Sequence, residues 1–254
     1  MVASPRGAHR SLDSLAEVSN RVDQPLGEAL EWRAARRPER REHRGAHVVV
    51  RPLNPESDTE PLYALSHAPT GDPSIWTYLY EQPFADVRAY RDHLEARAAG
   101  EDPLFFVIAD AQDGRPLGQV TYMSIEPEHG SIELGNIWFS PELQRTPAAT
   151  EAIFLLAAHA FDELGYRRLE WKCNALNAPS RDAALRYGFV YEGTFRQHRV
   201  VKGRNRDSAW FALTDRRWPA VRAAFESWLA PANFGPDGAQ ARSLRELTVA
   251  IAAN

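Results

Sequence analysis

Cysteine is nearly absent: Cys173 is alone in a chain of 254 residues. No internal disulfide framework can form, and a reducing, cytoplasmic setting is the expected home. No apolar run approaches the ~18 residues that a membrane span needs, and the first residues lack the apolar core of a signal peptide. Neither a membrane partner nor secretion is expected. The net charge of −4 carries no basic excess, which argues against a phosphate-tracking surface and hence against nucleic acid as a partner; small anionic ligands stay open. His129, His159 and His198 are scattered, and no Cys/His or carboxylate grouping has ligand spacing, so no metal is expected. What is present, 44% hydrophobic and 25% charged residues, suits a globular chain long enough to bury a sizeable core.

Residues 1–45 read as a flexible N-terminal extension. Arg33, Arg36, Arg37, Arg40, Arg41 and Arg44 form a basic run there, interleaved with Glu39 and Glu42. A solvated linker or helix face accounts for it more simply than an acidic partner does, and the acidic residues ahead of it argue against a mitochondrial leader. A domain is expected over 46–229 and a C-terminal tail over 230–254, within which SLRELTVAIAA is either a short docking helix or part of the tail. The domain starts with a strand in HVVVRPL, after which Ser57 or Asp58 serves as N-cap of a helix. The aromatic stretch 75–84 follows, whose Trp76, Tyr78 and Tyr80 either wall a substrate pocket or pack. A helix over 85–99 leads to a hairpin of strands 104–110 and 117–125.

The informative stretch runs from Gly130 to Arg196. Ile132 and Leu134 share one strand face, but Ile137 and Phe139 have the opposite parity; one extra residue near Gly135-Asn136 restores a single face, as a β-bulge does. A tight Gly-Asn turn is the alternative. Thr146 then suits an N-cap and Pro147 a first helical position, ahead of a helical apolar face that ends at Gly165. A strand over 167–176 follows, with Cys173 buried beside Leu169 and Trp171, and a right-handed crossover makes the two strands parallel neighbours. A helix over 180–186, a hairpin and a helix over 215–229 complete the pattern. A strand running into a helix N-terminus offers backbone donors to an anion.

The segments SIELGNIWFSP, ATEAIFLLAAHAFDELGYRRLEWKCNALNAPSRDAALRYGFVYEGTFR and KGRNRDSAWFAL together resemble the GNAT superfamily of acyl-CoA-dependent acyltransferases, nearest its RimJ/RimL-like branch. The resemblance implies an α/β (α+β) GNAT fold: a mixed central sheet, parallel strands splayed at a β-bulge, and helices on both faces. It implies acetyl-CoA as cosubstrate, with the backbone of Ile137, Trp138 and Phe139 pairing with pantetheine. The diphosphate is then expected at the helix N-terminus, on Gln144, Arg145, Thr146, Ala148, Ala149 and Thr150. The family's loop carries two glycines where this chain has Arg145 and Pro147. Pro147 has no amide proton to give, while the Arg145 guanidinium offers a charge-assisted contact in exchange.

The same resemblance makes Glu133 the general base, directly or through a water, with solvated or ion-paired carboxylate as the plain alternative. Many relatives have a Tyr acid where this chain has Ala184. Ser180 is the substitute acid, or else the N-cap of its helix; Asn177 is expected at pantetheine or helix-end carbonyls, and Tyr187, near enough in sequence to be a second candidate acid, otherwise packs. A bulge amide, that of Ile137, is expected to hold the developing oxyanion. The expected activity is transfer of acetyl to a primary amine of a small molecule. A peptide N-terminus as acceptor and a noncatalytic acyl-CoA-binding module are the alternatives, and homodimerisation stays open.

Overall fold

A computed structural model describes residues 24–251. The chain divides into Met1–Arg33 and Ala34–Asn254; in the described part of the first unit, 24–33, there is no helix or strand. The flexible extension expected over 1–45 lies outside the described residues as far as position 23. Within the second unit, packing starts ahead of the expected Ala46. Ala35 is buried, its amide donating to the Pro127 carbonyl, and the Arg36 amide donates to the Leu164 carbonyl.

In chain order the elements are β1 (His43–Arg44), β2 (Val48–Pro52), α1 (Pro55–Ser66), a 3-10 turn (Pro73–Thr77), α2 (Val87–Ala99), β3 (Leu104–Asp110), β4 (Pro116–Glu126) and β5 (Ser131–Phe139). Then come α3 (Pro147–Ala158), a π turn (His159–Glu163), β6 (Arg168–Asn174), α4 (Ala178–Arg186), β7 (Val190–Val201), β8 (Arg204–Thr214), α5 (Trp218–Leu229) and α6 (Leu244–Val249). The N-cap of α1 is Asn54, whose side chain accepts from the Glu56 amide, rather than Ser57 or Asp58. Asp58 instead pairs with Arg51 at 2.6 Å and accepts from the Asn54 amide, which ties α1 to β2. Thr146 caps α3 by accepting from the Ala149 amide, an interaction worth about 1 kcal/mol. Gly165, at φ +80°, ends the helical run in the left-handed conformation that glycine adopts without strain.

The sheet has eight strands in the order β1-β2-β3-β4-β5-β6-β8-β7. Every pairing is antiparallel except β5 with β6, the two strands joined through α3. Helices cover both faces. Leu62 of α1 with Tyr90 and Leu94 of α2 pack on Phe105, Val107 and Trp138. On the opposite face, α3 and α5 pack on Val120, Tyr122, Ile132, Leu134, Leu169 and Trp171. α6 docks there too, with Leu244 fully buried, so of the two readings of SLRELTVAIAA the docking helix is the one found, and it contributes to this core.

Between β4 and β5 the register slips: Thr121 pairs with Gly135, but Gln119 pairs with Trp138. The extra β5 residue lies at Asn136-Ile137, and Asn136 has φ +48°. Ile137 and Phe139 thereby join Ile132 and Leu134 on the α3 side. Strand β4 passes close by at Gly118, where a Cβ would come within 2.6 Å of the Trp138 carbonyl oxygen.

Candidate active site

Strands β5 and β6 pair over Ser131–Glu133 and Arg168–Glu170 and no further. Past Glu133 the bulge carries β5 away, and its edge toward β6 is left without a strand partner. A cleft of about 1560 Å³ opens there. Ile137, Trp138 and Phe139 line one side of it, and Trp171, Cys173 and Asn174 line the other. Such an edge presents backbone donors and acceptors to a ligand that has amides of its own.

The edge leads to the N-terminus of α3. Gln144, Arg145, Thr146, Ala149 and Thr150 line the cleft, and Ala148 does not. Two of the residues expected to hold the diphosphate, Ala149 and Thr150, have their amides engaged by the cap. The Ala149 amide donates to Thr146 Oγ1 and the Thr150 amide to the Thr146 carbonyl. Among the described residues, the amides of Arg145, Thr146 and Ala148 have no intramolecular acceptor. Gln144 uses its side-chain amide on the Phe139 carbonyl, which pins the loop to the end of β5. Arg145 has φ +63°, a left-handed backbone at a non-glycine residue. A second cation, Arg186, donates to Thr150 Oγ1 at 3.0 Å and stacks over Trp228. Trp228 in turn donates to Gln240 Oε1, and with Phe234 and Arg245 these residues bring the C-terminal segment to the cleft wall. Two free amides at the cleft, those of Arg145 and Thr146, with a helix N-terminus and two arginines, suit the phosphates of an amide-bearing ligand.

At the closed end, Glu133 is 4% exposed. Its Oε2 lies 2.8 Å from Lys172 Nζ and accepts from Ser124 Oγ at 3.2 Å. Lys172 also reaches Glu170 at 3.1 Å and lies over the Trp210 ring. Burial pushes the Glu133 carboxyl above its usual range against the pull of Lys172. Burial also opposes charge on Lys172, yet that ammonium is held high because two carboxylates share it.

Ser180 lies in α4 and not at its cap. The helix starts at Ala178, and Asn177 caps it by accepting from the Ser180 amide, so the N-cap reading of Ser180 is corrected. Asn177 Oδ1 serves a helix-start amide rather than helix-end carbonyls. The Ser180 hydroxyl accepts from Trp171 Nε1 at 3.0 Å, lies beside the Cys173 thiol and lines the cleft. Cys173 is a buried thiol pushed up by burial, and Ala184 is fully buried. Tyr187 packs against Phe225.

Of the three aromatic residues expected either to wall a pocket or to pack, Tyr78 and Tyr80 line the cleft, whereas Trp76 is buried and packs on Phe84 and Tyr90. Four further lining residues were not singled out by the sequence pattern. Tyr78 Oη donates to the Leu176 carbonyl, and Lys202 of the β7–β8 turn donates to the Trp76 carbonyl, so contacts bridge this end of the cleft. His198, Arg206, Ser208 and Trp210 line the same end, with His198 Nδ1 2.9 Å from Ser208 Oγ. Burial, with Arg199, Arg206 and Lys172 nearby, holds the His198 imidazole below its ordinary value. The one available signal was strand alternation, which sets Arg206, Ser208 and Trp210 on one face of β8. Among the described residues no metal-binding group of three or more His, Cys, Asp or Glu exists, and no helix is long and apolar enough to cross a membrane.

Residues 47–190 match the family described as acetyltransferase (GNAT) domain. A GCN5-related N-acetyltransferase from Brucella melitensis is 43% identical in sequence and superposes with a TM-score of 0.82 over 86% of this chain and 99% of its own. An acetyltransferase of the GNAT family from Chromobacterium violaceum, described as probable, is 39% identical, with a TM-score of 0.72 over 80% of this chain and 100% of its own. A Bacillus subtilis protein named "Putative ribosomal N-acetyltransferase YdaF" is 26% identical over 174 residues, 68% of this chain and 93% of its own length.

Proposed function

We propose, from the premise that this chain belongs to the GNAT acetyltransferases, that it transfers acetyl from acetyl-CoA to a primary amine of a small molecule. It is an N-acetyltransferase, and the noncatalytic alternative drops out with that membership. When bound, acetyl-CoA supplies an activated acyl carbon on a thiolate leaving group. The backbone of Ile137, Trp138 and Phe139 holds the pantetheine arm. The free amides of Arg145 and Thr146, with the Arg145 guanidinium, hold the phosphates; Gln144, Ala149, Thr150 and Asn177 shape that wall.

Glu133 accepts the proton that the amine gives up as its nitrogen bonds to the acyl carbon, directly or through a water. The Ile137 amide donates to the acyl oxygen. Ser180 passes a proton to the sulfur as the carbon–sulfur bond breaks and is reprotonated from solvent. The amine's proton passes from Glu133 to solvent and the thiol's proton comes from solvent through Ser180, so one turnover leaves both residues as they began.

The observation that carries this reading is the parting of β5 from β6 directly beyond buried Glu133. A small acceptor is supported by the bridging contacts of Tyr78 and Lys202, which narrow the acceptor end. The name of the Bacillus subtilis relative supports a second reading, a peptide N-terminus as acceptor. Calorimetric titration with acetyl-CoA followed by thiol release over a panel of amines and peptides tests both. No saturable binding at ~mM acetyl-CoA sinks the cofactor assignment, and a panel positive for peptides alone selects the second reading.

A further inference from the structure

Arg206 is 7% exposed, and its Nε is buried without a hydrogen-bond partner. Among the described residues no carboxylate pairs with it. Its guanidinium lies 4.7 Å from the centroid of the Tyr80 ring, and the residue lines the cleft. A buried guanidinium without a counter-charge is costly. Four positions on, Trp210 presents a second buried donor, Nε1, that also has no acceptor. Alternation places both on one face of β8, with Ser208 between them already joined to His198. Two acidic groups that line this cleft are engaged elsewhere: Glu133 with Lys172 and Ser124, and Asp72 with the Ser74 amide.

We propose that this face of β8 is an anion subsite of the acceptor pocket, and that the acceptor is a primary amine carrying a carboxylate which Arg206 binds. This rests on the amine-acetylation reading and names its substrate class. The charges are complementary along the pocket. Glu133, Glu170 and Lys172 together carry one excess negative charge when ionised, which suits the amine end, and Arg206 supplies an unpaired positive charge for the other end. The register also sets a length. Glu133 is level with Glu170, which pairs with Ala212, six residues from Arg206, or roughly 20 Å between backbone positions at ~3.3 Å per residue. Even with both side chains extended toward each other, amine and carboxylate are several bonds apart. An ω-amino acid, or a peptide with an acidic side chain near its N-terminus, has this spacing; an α-amino acid does not.

Thiol release by the full-length chain is measured with 6-aminohexanoate against hexylamine, and with a peptide bearing Glu at its second position against its Gln counterpart. The carboxylate member of at least one pair is expected to have a kcat/KM about tenfold or more higher. Arg206→Gln removes that preference while the KM for acetyl-CoA stays within about twofold, and Arg206→Lys recovers part of it. Equal kcat/KM within both pairs, or a preference that survives Arg206→Gln, overturns the subsite. Which pair responds separates a free amino acid from a peptide. Hexanoate, a carboxylate without an amine, is titrated calorimetrically in parallel. If no amine accepts acetyl, the transfer reading fails by itself, while hexanoate binding that Arg206→Gln abolishes still supports the subsite and absence of binding overturns it. Should Arg206→Gln not fold, the wild-type preference and the hexanoate titration decide.

Discussion

Lys172 Nζ lies 2.8 Å from Glu133 Oε2 and 3.1 Å from Glu170 Oε2, so one ammonium serves two carboxylates at the point where the parallel strands part. Burial disfavours the charged form of Glu133 and pushes its carboxyl above the usual range. The shared ammonium limits that rise without cancelling it, which leaves a carboxylate more basic than one in water.

Glu133→Gln is therefore expected to lower kcat by about 10²-fold or more while the KM for acetyl-CoA changes little. The working form is the carboxylate and its pKa lies above the ordinary range, so kcat/KM rises with pH through that elevated value. Lys172→Met removes the ammonium that holds the value down and is expected to move this acid limb to still higher pH. Thiol release followed across about pH 5 to 9 reads both effects. A loss of merely a few-fold in Glu133→Gln would mark the residue as a structural ion-pair partner.

Ser180→Ala is expected to cost less. A free thiol has a pKa of about 8.5, so a thiolate departs tolerably near neutrality without help, and kcat is expected to fall about tenfold with KM unchanged. The same variant leaves Trp171 Nε1 without its acceptor, a burial cost of about 1–3 kcal/mol that equilibrium unfolding detects. An unchanged kcat alongside reduced stability would leave Ser180 a role in packing alone.

The cleft was legible in the sequence because a parity change in Ile132, Leu134, Ile137 and Phe139 has a backbone cause that any strand must obey: one extra residue, found at Asn136-Ile137. The start of α3 was legible for the same local reason, a Thr-Pro pair with cap chemistry. Competition between two good local candidates was not. Asn54 and Asn177 took caps that Ser57, Asp58 and Ser180 also suit, and the Thr146 cap used amides counted for a ligand. Long-range partners were hidden too. Glu151 accepts from the amides of Ala46, His47 and Val48 and so fastens the first hairpin to α3, a contact without any local signature. Arg206 and Trp210 could be placed on one face of a strand, but only the pairing of β8 with β6 brings Trp210 to Lys172 and so turns that face to the cleft.

A pH effect on stability is expected at the seam between β1 and the π turn. His43 is held down at about 4, first by burial and then by His159 and Arg41, against Glu163; its ring lies 4.5 Å from that of His159. A histidine with a lowered folded pKa binds fewer protons folded than unfolded, so stability is present above the unfolded value of about 6.5 and is lost as pH falls from there toward 4. The loss is on the order of 2 kcal/mol after allowance for solvent screening. Urea unfolding between about pH 7 and 5 is expected to show a shallower decline for His43→Phe than for the wild type; equal slopes would place the effect elsewhere.

Arg145 separates the needs of the fold from those of the cofactor. Its φ of +63° costs a non-glycine residue about 1–2 kcal/mol, and the family loop to which the sequence bears a resemblance has glycine there. If the guanidinium bonds a phosphate, Arg145→Gly and Arg145→Ala both raise the KM for acetyl-CoA about tenfold, the size of one charge-assisted hydrogen bond. The two variants then differ in stability. Ala keeps the strained backbone, whereas Gly relieves it at the expense of a more flexible unfolded chain, so Arg145→Gly is expected to equal or exceed Arg145→Ala by up to about 1 kcal/mol. Calorimetric binding of acetyl-CoA and unfolding of both variants test this. Unchanged affinity in both would mean that the amides at positions 145 and 146 hold the phosphates unaided, and that the arginine side chain is incidental to a backbone position other residues can fill.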